Sequence, residues 1–319
     1  MAYLLRKMIA IAALVLPTAG FVQESCDYAC TEDPCCNECC GRFFVEADLL
    51  YLRAFEGGLF SVCDTTEIND TTVDGIVVSR LNGRGHNPNF EWNLGYRVGV
   101  GYEFVNSCYD IGVYWTHFKP NTKSSGHSSS YSGYRNSYKW SLDFNVVDLL
   151  FSYNWSSSPC FVLTPFGGVR FAEISQNLHT HFLSTINDSL ITSHGHIKQT
   201  LTAVGPIFGL EGDLGIGCGF SLYGNLSVGV LYGKFRVKSH STEEFNDTIN
   251  IDHLRGWPQA YQAVTDAEIG IRWRTCYCNN NVLIVELGLE QHRYYNHNQF
   301  CGYGDLNLDG ASLGVRLEF

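Results

Sequence analysis

The sequence lacks several features that define other classes of protein. Its 319 residues contain no apolar run of about 20 residues, so no segment qualifies as a transmembrane helix. Basic residues are scarce, with 21 Lys and Arg against 32 Asp and Glu, and the formal charge of −11 argues against a nucleic-acid-binding protein. Charged residues make up 17% of the chain, below the roughly 25% of an average soluble domain. No motif implies a cofactor.

Glycine and aromatic residues are plentiful instead, with 32 glycines and 14% aromatics, which suits a protein made of strands and turns. The segment 91–104 alternates without exception between large apolar residues and small or polar ones, and this predicts a strand with one apolar face. Aromatic residues stand at both ends of that face, as in strands that cross a bilayer. Because a sheet edge in lipid would leave backbone groups unpaired, such a strand predicts a closed β-barrel.

The alternating pattern recurs along the chain and predicts an all-β fold, a closed antiparallel transmembrane barrel of ten strands. Short turns and long polar stretches alternate between the strands, as in bacterial outer-membrane barrels. The even number of strands places both chain ends at the short-turn rim, which is expected to face the periplasm. Twelve strands are the alternative, if the segments 72–80 and 186–197 also pair. The ten predicted strands are 42–54, 91–105, 108–118, 138–153, 160–174, 200–213, 218–236, 260–275, 281–293 and 306–319.

Two local features of the pattern carry further expectations. Within the strand 138–153 the apolar phase changes at Val146 and Val147, which predicts a β-bulge. The polar stretches 175–199 and 237–259 carry little apolar alternation, so they are predicted to be long connections on the outer side of the barrel.

The N-terminus predicts a secreted protein. Residues 1–20 combine two basic residues with an apolar run and small residues near a cleavage site, which is typical of a signal peptide. Residues 21–41 form a cysteine-rich periplasmic segment that is too polar to fold alone, and residues 42–319 form the barrel. The mature chain is therefore expected in the bacterial outer membrane, after passing through an oxidising compartment.

The thirteen cysteines are candidates for disulfides in that compartment. Internal disulfides alone are one possibility, and additional cross-links to a second copy or to other cysteine-rich envelope proteins are another. A metal such as zinc on Cys36 and Cys39 or on Cys276 and Cys278 is disfavoured, because neither pair has the second half of a zinc-finger spacing. Eleven cysteines are predicted to lie on the periplasmic side: Cys26, Cys30, Cys35, Cys36, Cys39, Cys40, Cys108, Cys160, Cys218, Cys276 and Cys278.

Charged residues of both signs occupy the predicted inward face. Eight strands leave an interior just filled by side chains and sixteen to eighteen leave a channel, so ten strands with mixed charges predict a narrow or occluded lumen. Acids outnumber bases there, so any conductance should prefer cations. The predicted lumen residues are Glu46, Asp48, Arg97, Asp110, Asp143, Arg170, Glu211, Asp266, Glu268, Arg272, Arg274, Glu286, Glu290 and Arg316. The predicted aromatic girdle on the outward face is Trp92, Tyr102, Phe104, Trp115, Trp140, Trp273 and Phe319.

Several phrases, taken in order along residues 42–319, resemble the major outer membrane protein family of Legionella and of chlamydia-like bacteria. This resemblance implies an abundant porin-like barrel and supplies no motif with assigned catalytic residues. The phrases are Phe44-Val-Glu-Ala-Asp-Leu-Leu-Tyr51, Gly95-Tyr-Arg-Val-Gly-Val-Gly-Tyr102, Asp110-Ile-Gly-Val-Tyr-Trp-Thr-His117, Leu142-Asp-Phe-Asn-Val-Val-Asp-Leu-Leu150, Thr164-Pro-Phe-Gly-Gly-Val-Arg170, Gly219-Phe-Ser-Leu-Tyr-Gly224 and His292-Arg-Tyr-Tyr-Asn-His-Asn-Gln299.

Together these observations predict a porin-like barrel that passes small solutes or ions through a narrow lumen and has a structural role in the envelope. The expected partners are outer-membrane lipid, cysteine-rich envelope proteins or a second copy, and the barrel-assembly machinery, for which the terminal Phe319 is a typical signal. A surface adhesin or receptor with an occluded lumen is the alternative.

An outer-membrane hydrolase is the third and weakest alternative, and the chain is predicted not to be an enzyme. The segment 310–314 matches G-x-S-x-G, but it lies in a strand with no helix after it. A hidden acid–base pair among Asp110, His117, Asp266 and His292 is the other catalytic possibility. The His-x-His pairs at 179–181 and 194–196 are expected to be polar surface residues rather than a metal site.

Overall fold

The computed structural model describes eleven segments of the chain: residues 41–58, 61–73, 76–86, 90–104, 108–127, 135–158, 160–186, 189–245, 248–277, 281–299 and 304–319. The predicted signal peptide and nearly all of the cysteine-rich segment therefore lie outside the described residues. No helix within the described residues is long and apolar enough to cross a membrane.

The described chain is built of β-strands. They are β1 (Arg42–Glu56), β2 (Ser61–Val73), β3 (Ile76–His86), β4 (Trp92–Glu103), β5 (Tyr109–Phe118), β6 (Asn121–His127), β7 (Arg135–Tyr153), β8 (Trp155–Ser158), β9 (Phe161–Ile186), β10 (Ser189–Gly217), β11 (Phe220–Phe245), β12 (Thr248–Gly256), β13 (Gln259–Tyr277), β14 (Asn281–Tyr294) and β15 (Leu306–Glu318).

Ten of these strands close into a barrel in the order β1, β4, β5, β7, β9, β10, β11, β13, β14 and β15, each antiparallel to its neighbours. The ring closes where β15 pairs with β1 and the backbones of Phe43 and Phe319 exchange two hydrogen bonds of 2.9 Å. The predicted ten-stranded antiparallel barrel is therefore confirmed, with its first and last strands adjacent. No backbone group at the seam is left as a sheet edge, which is what lipid requires.

The twelve-strand alternative is wrong. β2 and β3 pair only with each other, in a separate two-stranded sheet, and residues 189–197 are the outer part of β10. The remaining strands are additions to barrel strands: β6 pairs with β7, β8 with β9, and β12 with β11.

Three strands are much longer than the sequence pattern predicts. β9, β10 and β11 have 26, 29 and 26 residues, and they include most of the polar stretches that were predicted to be long connections. Alternation is hard to detect there because both faces carry polar residues, yet the register between β9 and β10 continues without interruption to residues 186 and 189.

Each long strand changes the side on which its apolar residues lie. Near the chain ends and short turns they point outward, as Leu149 and Phe151 do on β7, with 40% and 48% of their surface exposed. Farther along β7 they point inward, and Phe144 and Trp140 are 2% and 0% exposed. We call the half with the apolar outward face the lower tier and the half with the apolar inward face the upper tier.

This switch explains three departures from the sequence prediction on β7. The register across β7 is continuous at Val146 and Val147, so the predicted bulge is absent. Trp140 was predicted on the lipid-facing girdle but is fully buried inside, edge-on to Phe90 at 5.5 Å. Asp143 was predicted in the lumen but points outward, where Lys119 Nζ lies 2.9 Å from its carboxylate. A change of tier moves the apolar residues to the other face of the strand, as a bulge does, so the two cannot be told apart from the sequence pattern.

The two tiers predict opposite effects for the same substitution on one strand. Phe144→Ala should lower the free energy of unfolding by about 3–5 kcal/mol, because it opens a cavity in the buried upper tier. Phe151→Ala changes a side chain that is half exposed on the lower tier, so it should cost much less. Urea unfolding of the refolded barrel in detergent micelles measures both. Equal losses for the two variants would contradict the two-tier interior.

Candidate functional site in the barrel interior

A row of charged side chains crosses the interior of the lower tier just below the apolar residues. Arg97 on β4 lies at its centre: Nη1 is 3.2 Å from Asp48 Oδ2 and Nη2 is 2.7 Å from Glu290 Oε2. The guanidinium Nε also donates to the hydroxyl of Thr116 at 3.3 Å. These contacts join β1, β4, β5 and β14, so Arg97 links β14 to three adjoining strands on the other side of β15.

The row continues from Glu290 to the far side of the barrel. His292 lies between two carboxylates, with Nε2 3.5 Å from Glu290 Oε1 and Nδ1 2.8 Å from Asp266 Oδ1. Asp266 also accepts from Arg170 Nη1 at 2.7 Å, and Arg170 forms two parallel bonds of 2.7 Å to Asp148. The resulting chain of ionisable side chains runs from Asp48 on β1 to Asp148 on β7.

Two further clusters occupy the lumen nearer the short-turn rim. Arg272 binds three carboxylates at once, those of Glu286 at 2.6 Å, Asp213 at 2.7 Å and Glu211 at 2.8 Å. Arg316 binds Glu103 at 2.9 Å and Glu318 at 3.0 Å. Every guanidinium in these clusters faces at least one carboxylate, so the charged half is cross-linked rather than lined by free ions.

The sequence-predicted lumen residues can now be placed. Asp143 is the exception already described, and all the others face the interior of the lower tier: Glu46, Asp48, Arg97, Asp110, Arg170, Glu211, Asp266, Glu268, Arg272, Arg274, Glu286, Glu290 and Arg316. Their side chains are only partly buried, as with Arg272 at 19% and Glu211 at 26% exposure, whereas those in the central row are more enclosed.

Above the charged row the interior is apolar and dry. Leu50, Leu52, Phe118 and Trp140 have no exposed surface, and they belong to one continuous cluster contributed by nine of the ten barrel strands. The other members are Ala54, Leu142, Phe144, Val146, Ala172, Ile174, Leu178, Leu201, Ala203, Leu231, Phe235, Val264, Tyr294, Leu306 and Leu308. The sequence prediction missed this cluster, although the phase change on β7 was a visible sign of it.

Residues 295–299, which follow β14, form a strap that folds into the barrel mouth above the apolar cluster. Gln199 Nε2 donates to the carbonyl of His297 at 2.7 Å, and the amide of Gln299 donates to Gln199 Oε1 at 2.9 Å. Asn298 Nδ2 donates to the carbonyl of Gly57 on the opposite wall at 2.7 Å. His297 and Asn298 are 0% and 1% exposed, so the strap is part of the interior.

The hydrogen bonds around His297 fix its protonation. Gln262 uses its amide nitrogen to donate to the carbonyl of Tyr295, so its Oε1 is the acceptor for His297 Nδ1–H at 3.3 Å. His297 Nε2 is then a buried acceptor without a partner among the described residues. Burial lowers the pKa of His297 from 6.5 to about 3, because the charged imidazolium would have to leave water. The strap therefore requires a neutral His297.

The predicted girdle aromatics, apart from Trp140, lie on the outer surface. Trp92, Phe104, Trp115 and Phe319 are 38–58% exposed. Tyr102 packs on Phe43 at 4.8 Å between ring centroids, and Trp273 packs on Phe220 at 6.4 Å.

Cys108, Cys160, Cys218 and Cys276 lie near the rim that carries the chain ends, whereas Cys63 lies in β2. Cys160, Cys218 and Cys276 are each disulfide-bonded, and Cys108 is a free, exposed thiol. Cross-links to other envelope proteins stay a prediction. Seven of the eleven predicted disulfide cysteines lie outside the described residues: Cys26, Cys30, Cys35, Cys36, Cys39, Cys40 and Cys278.

The closed antiparallel barrel, its apolar outer belt and its charged interior define a transmembrane β-barrel of the outer-membrane type. The family described as Legionella pneumophila major outer membrane protein precursor matches residues 34–317, and the chain belongs to this family. The resemblance found in the sequence is thereby confirmed. No curated protein matches.

Three solved structures are similar to this chain at low identity. The outer membrane protease OmpT from Escherichia coli has 12% identity over 87% of this chain and 96% of its own, with a TM-score of 0.43. The attachment invasion locus protein Ail of Yersinia pestis has 12% identity over 88% and 99%, with a TM-score of 0.24. The toluene transporter TodX of P. putida has 8% identity over 87% and 89%, with a TM-score of 0.23.

Removing Arg97 should be costly, because Asp48 and Glu290 would stay inside the barrel without their counter-charge. Arg97→Met is expected to lower the free energy of unfolding by about 3–5 kcal/mol. Arg53→Met is the matched control, since Arg53 pairs with Asp309 on the outer surface, where such pairs contribute at most about 1 kcal/mol. Urea unfolding in micelles compares the two, and a loss for Arg97→Met no larger than the control would refute the cross-linking role of the row.

The strap should loosen in acid. The folded-state pKa of His297 is below its ordinary value, so its stabilising contribution is complete above about pH 6.5 and declines as the pH falls towards 3. By pH 5 the loss amounts to about 2 kcal/mol, or roughly 30-fold in the opening equilibrium. Hydrogen exchange at the amides of Asn298 and Gln299, corrected for the intrinsic rate, measures this opening. His297→Gln should abolish the pH dependence, and an unchanged pH dependence in that variant would assign it to another group.

Proposed function

We propose that this protein is a structural outer-membrane barrel whose lumen is closed in its resting state. The observation that carries the proposal is the filling of the interior at three successive levels: the charged row centred on Arg97, the dry apolar cluster and the strap 295–299. We further propose that the rim with the chain ends faces the periplasm and that the upper tier projects from the outer surface.

The apolar cluster in the interior supports a closed barrel more than an open porin. A polar solute that crosses the apolar cluster loses its hydration without gaining hydrogen bonds, which costs several kcal/mol for each uncompensated polar group. Passage of small solutes, the sequence-based expectation, therefore requires both the strap and the side chains around Trp140 to move. The ten barrel strands are paired around the whole ring, so the described part of the wall offers no gap between strands as another route.

The side chains that could have formed a catalytic site are engaged in structural contacts, which supports a non-enzymatic role. Ser312, in the G-x-S-x-G segment, is 4% exposed and donates to Glu268 at 3.0 Å. Asp266 and His292 do come together, but His292 has carboxylates at both ring nitrogens. His117 instead bonds Asn145 on the outer surface at 2.8 Å. None of these contacts places a nucleophile beside a free base.

Planar-bilayer recording of the refolded protein tests the closed lumen. The wild-type barrel should insert without steady ion conductance, because the apolar cluster excludes water. The double variant Phe118→Ala/Trp140→Ala removes two fully buried rings from that cluster and should conduct. Its current should prefer cations, because carboxylates outnumber arginines in the lower tier.

The matched control is Trp115→Ala/Phe151→Ala, which removes two rings of similar size from the lipid-facing surface, where they are 40% and 48% exposed. It should insert and stay closed. A steady wild-type conductance would overturn the proposal in favour of a porin, and a conducting control would show that loss of wall stability rather than loss of the apolar cluster opens the lumen.

A further inference from the structure

The outward face of β9 to β12 in the upper tier carries a concentration of positive charge that the acidic composition does not predict. Lys198 on β10 stands directly opposite Lys238 on β11, and Lys238 stands directly opposite Arg255 on β12. Lys234 and Arg236 precede Lys238 on the same face of β11. We call Lys198, Lys234, Arg236, Lys238 and Arg255 the cationic face.

The cationic face has no carboxylate partner within the described part of the chain. All five side chains are exposed, and among the described residues none of them forms an ion pair. The acids that share this outward face, Glu173 and Glu244, stand at its lower and upper edges, opposite Thr202 and Thr192. Like charges directly opposite each other on paired strands are destabilising. A bound anion would remove that repulsion.

The next level outward adds groups that become positive in acid. His179, His196, His240 and His253 stand opposite one another across β9, β10, β11 and β12, and Lys139 on β7 is opposite His179. The rings are stacked at 4.1 Å between His179 and His196 and at 4.4 Å between His240 and His253. Within the described chain no three such side chains are arranged as metal ligands, so the row is better suited to an anion than to a metal.

The cationic face lies immediately above the apolar belt. Val204 and Tyr232, 41% and 48% exposed, are the last apolar residues below it on β10 and β11. With about 3.3 Å per residue and a strand tilt near 45°, Lys234 and Arg236 stand roughly 5 and 9 Å above Tyr232, and Lys198 and Lys238 roughly 14 Å above the belt. Lys234 and Arg236 therefore lie at the height of the headgroup layer of a bilayer, whereas Lys198 and Lys238 lie at a height that only a larger headgroup reaches.

We infer that the cationic face binds the phosphorylated headgroup of a glycolipid in the leaflet that surrounds the upper tier. The continuity of the face with the belt favours a lipid over a soluble ligand, because a lipid in that leaflet already lies at the level of Lys234 and Arg236. A groove of about 280 Å³ between Thr202, Lys234 and Arg236 offers room for a phosphate beside two cationic groups. The inference rests on the proposed orientation of the barrel.

Binding should strengthen in acid. The four imidazoles of the histidine row face Lys139, Lys198, Lys238 and Arg255 from the adjoining strands, and no acid stands among them. Partial burial and the neighbouring His179, His240 and Lys198 hold the pKa of His196 below its usual value. A bound polyanion favours the protonated form, so protons are taken up on binding and the affinity should rise as the pH falls. High salt should oppose it.

The test measures binding of lipopolysaccharide with phosphorylated core sugars to the refolded full-length barrel in neutral detergent, beside the same glycolipid after enzymatic dephosphorylation. The wild type should prefer the phosphorylated form. Lys198→Gln/Lys238→Gln should weaken its binding roughly 25-fold, about 5-fold for each charge removed. His196→Gln/His240→Gln should leave the affinity at pH 7.5 almost unchanged and reduce the increase at pH 5.5, since only His179 and His253 of the row remain.

The matched control is Arg53→Gln/Arg293→Gln, which removes two outward charges that Asp309 and Asp305 already neutralise. It should bind like the wild type. Equal binding of the two glycolipids, or equal losses in the control, would overturn the inference. A third result would also overturn it: the wild type binds a soluble sulfated polysaccharide but no glycolipid, and Lys198→Gln/Lys238→Gln abolishes that binding. If the wild type stays closed in the bilayer recording and still fails here, only this inference falls.

Discussion

The structure depends on one constraint: each long strand passes from a stretch that faces lipid to a stretch that faces water. Over the lower tier the outward side chains must be apolar, and the interior can hold the charges that the strand also carries. Over the upper tier the outward side chains are solvated, and the free energy of folding has to come from an apolar interior. The positions of Phe151, Val147 and Phe144 along β7 follow directly from this change of surroundings.

The proposed closure of the lumen follows from that constraint. The apolar cluster that stabilises the upper tier lies on the barrel axis, because a ten-stranded wall is narrow enough for inward side chains to meet. Below it, burial makes unpaired charges costly, so the guanidinium of Arg97 and that of Arg170 each bind two carboxylates. The interior of the upper tier is therefore filled by apolar side chains that stabilise the fold, and that of the lower tier by charged side chains that must be paired.

The sequence predicted the parts of this architecture that depend on period-two alternation in lipid. The ten strands, the closing pair β1 and β15 and the inward position of Arg97 all follow from alternation. The sequence prediction failed where the surroundings of a strand change. Trp140 and Asp143 can be assigned to the correct face of β7 only if the tier is known. The strap was not predictable, because its contacts join Gln199, Gln262 and Gly57, which are far apart in the sequence.

The strap is held by polar contacts, and some of the polar groups in and beside it are incompletely satisfied. Glu56, next to the strap contact at Gly57, accepts one bond from Gln176 at 2.8 Å, but among the described residues its other carboxylate oxygen, like His297 Nε2, has no hydrogen-bond partner. Such a layer contributes little net stability, since each unpaired group offsets part of what the paired ones contribute. The hydrogen bonds of the strap instead fix the position of residues 295–299 across the barrel mouth. In the proposed closed barrel the apolar cluster therefore contributes most of the barrier to solutes, and the strap above it is the layer that should open at the smaller free-energy cost.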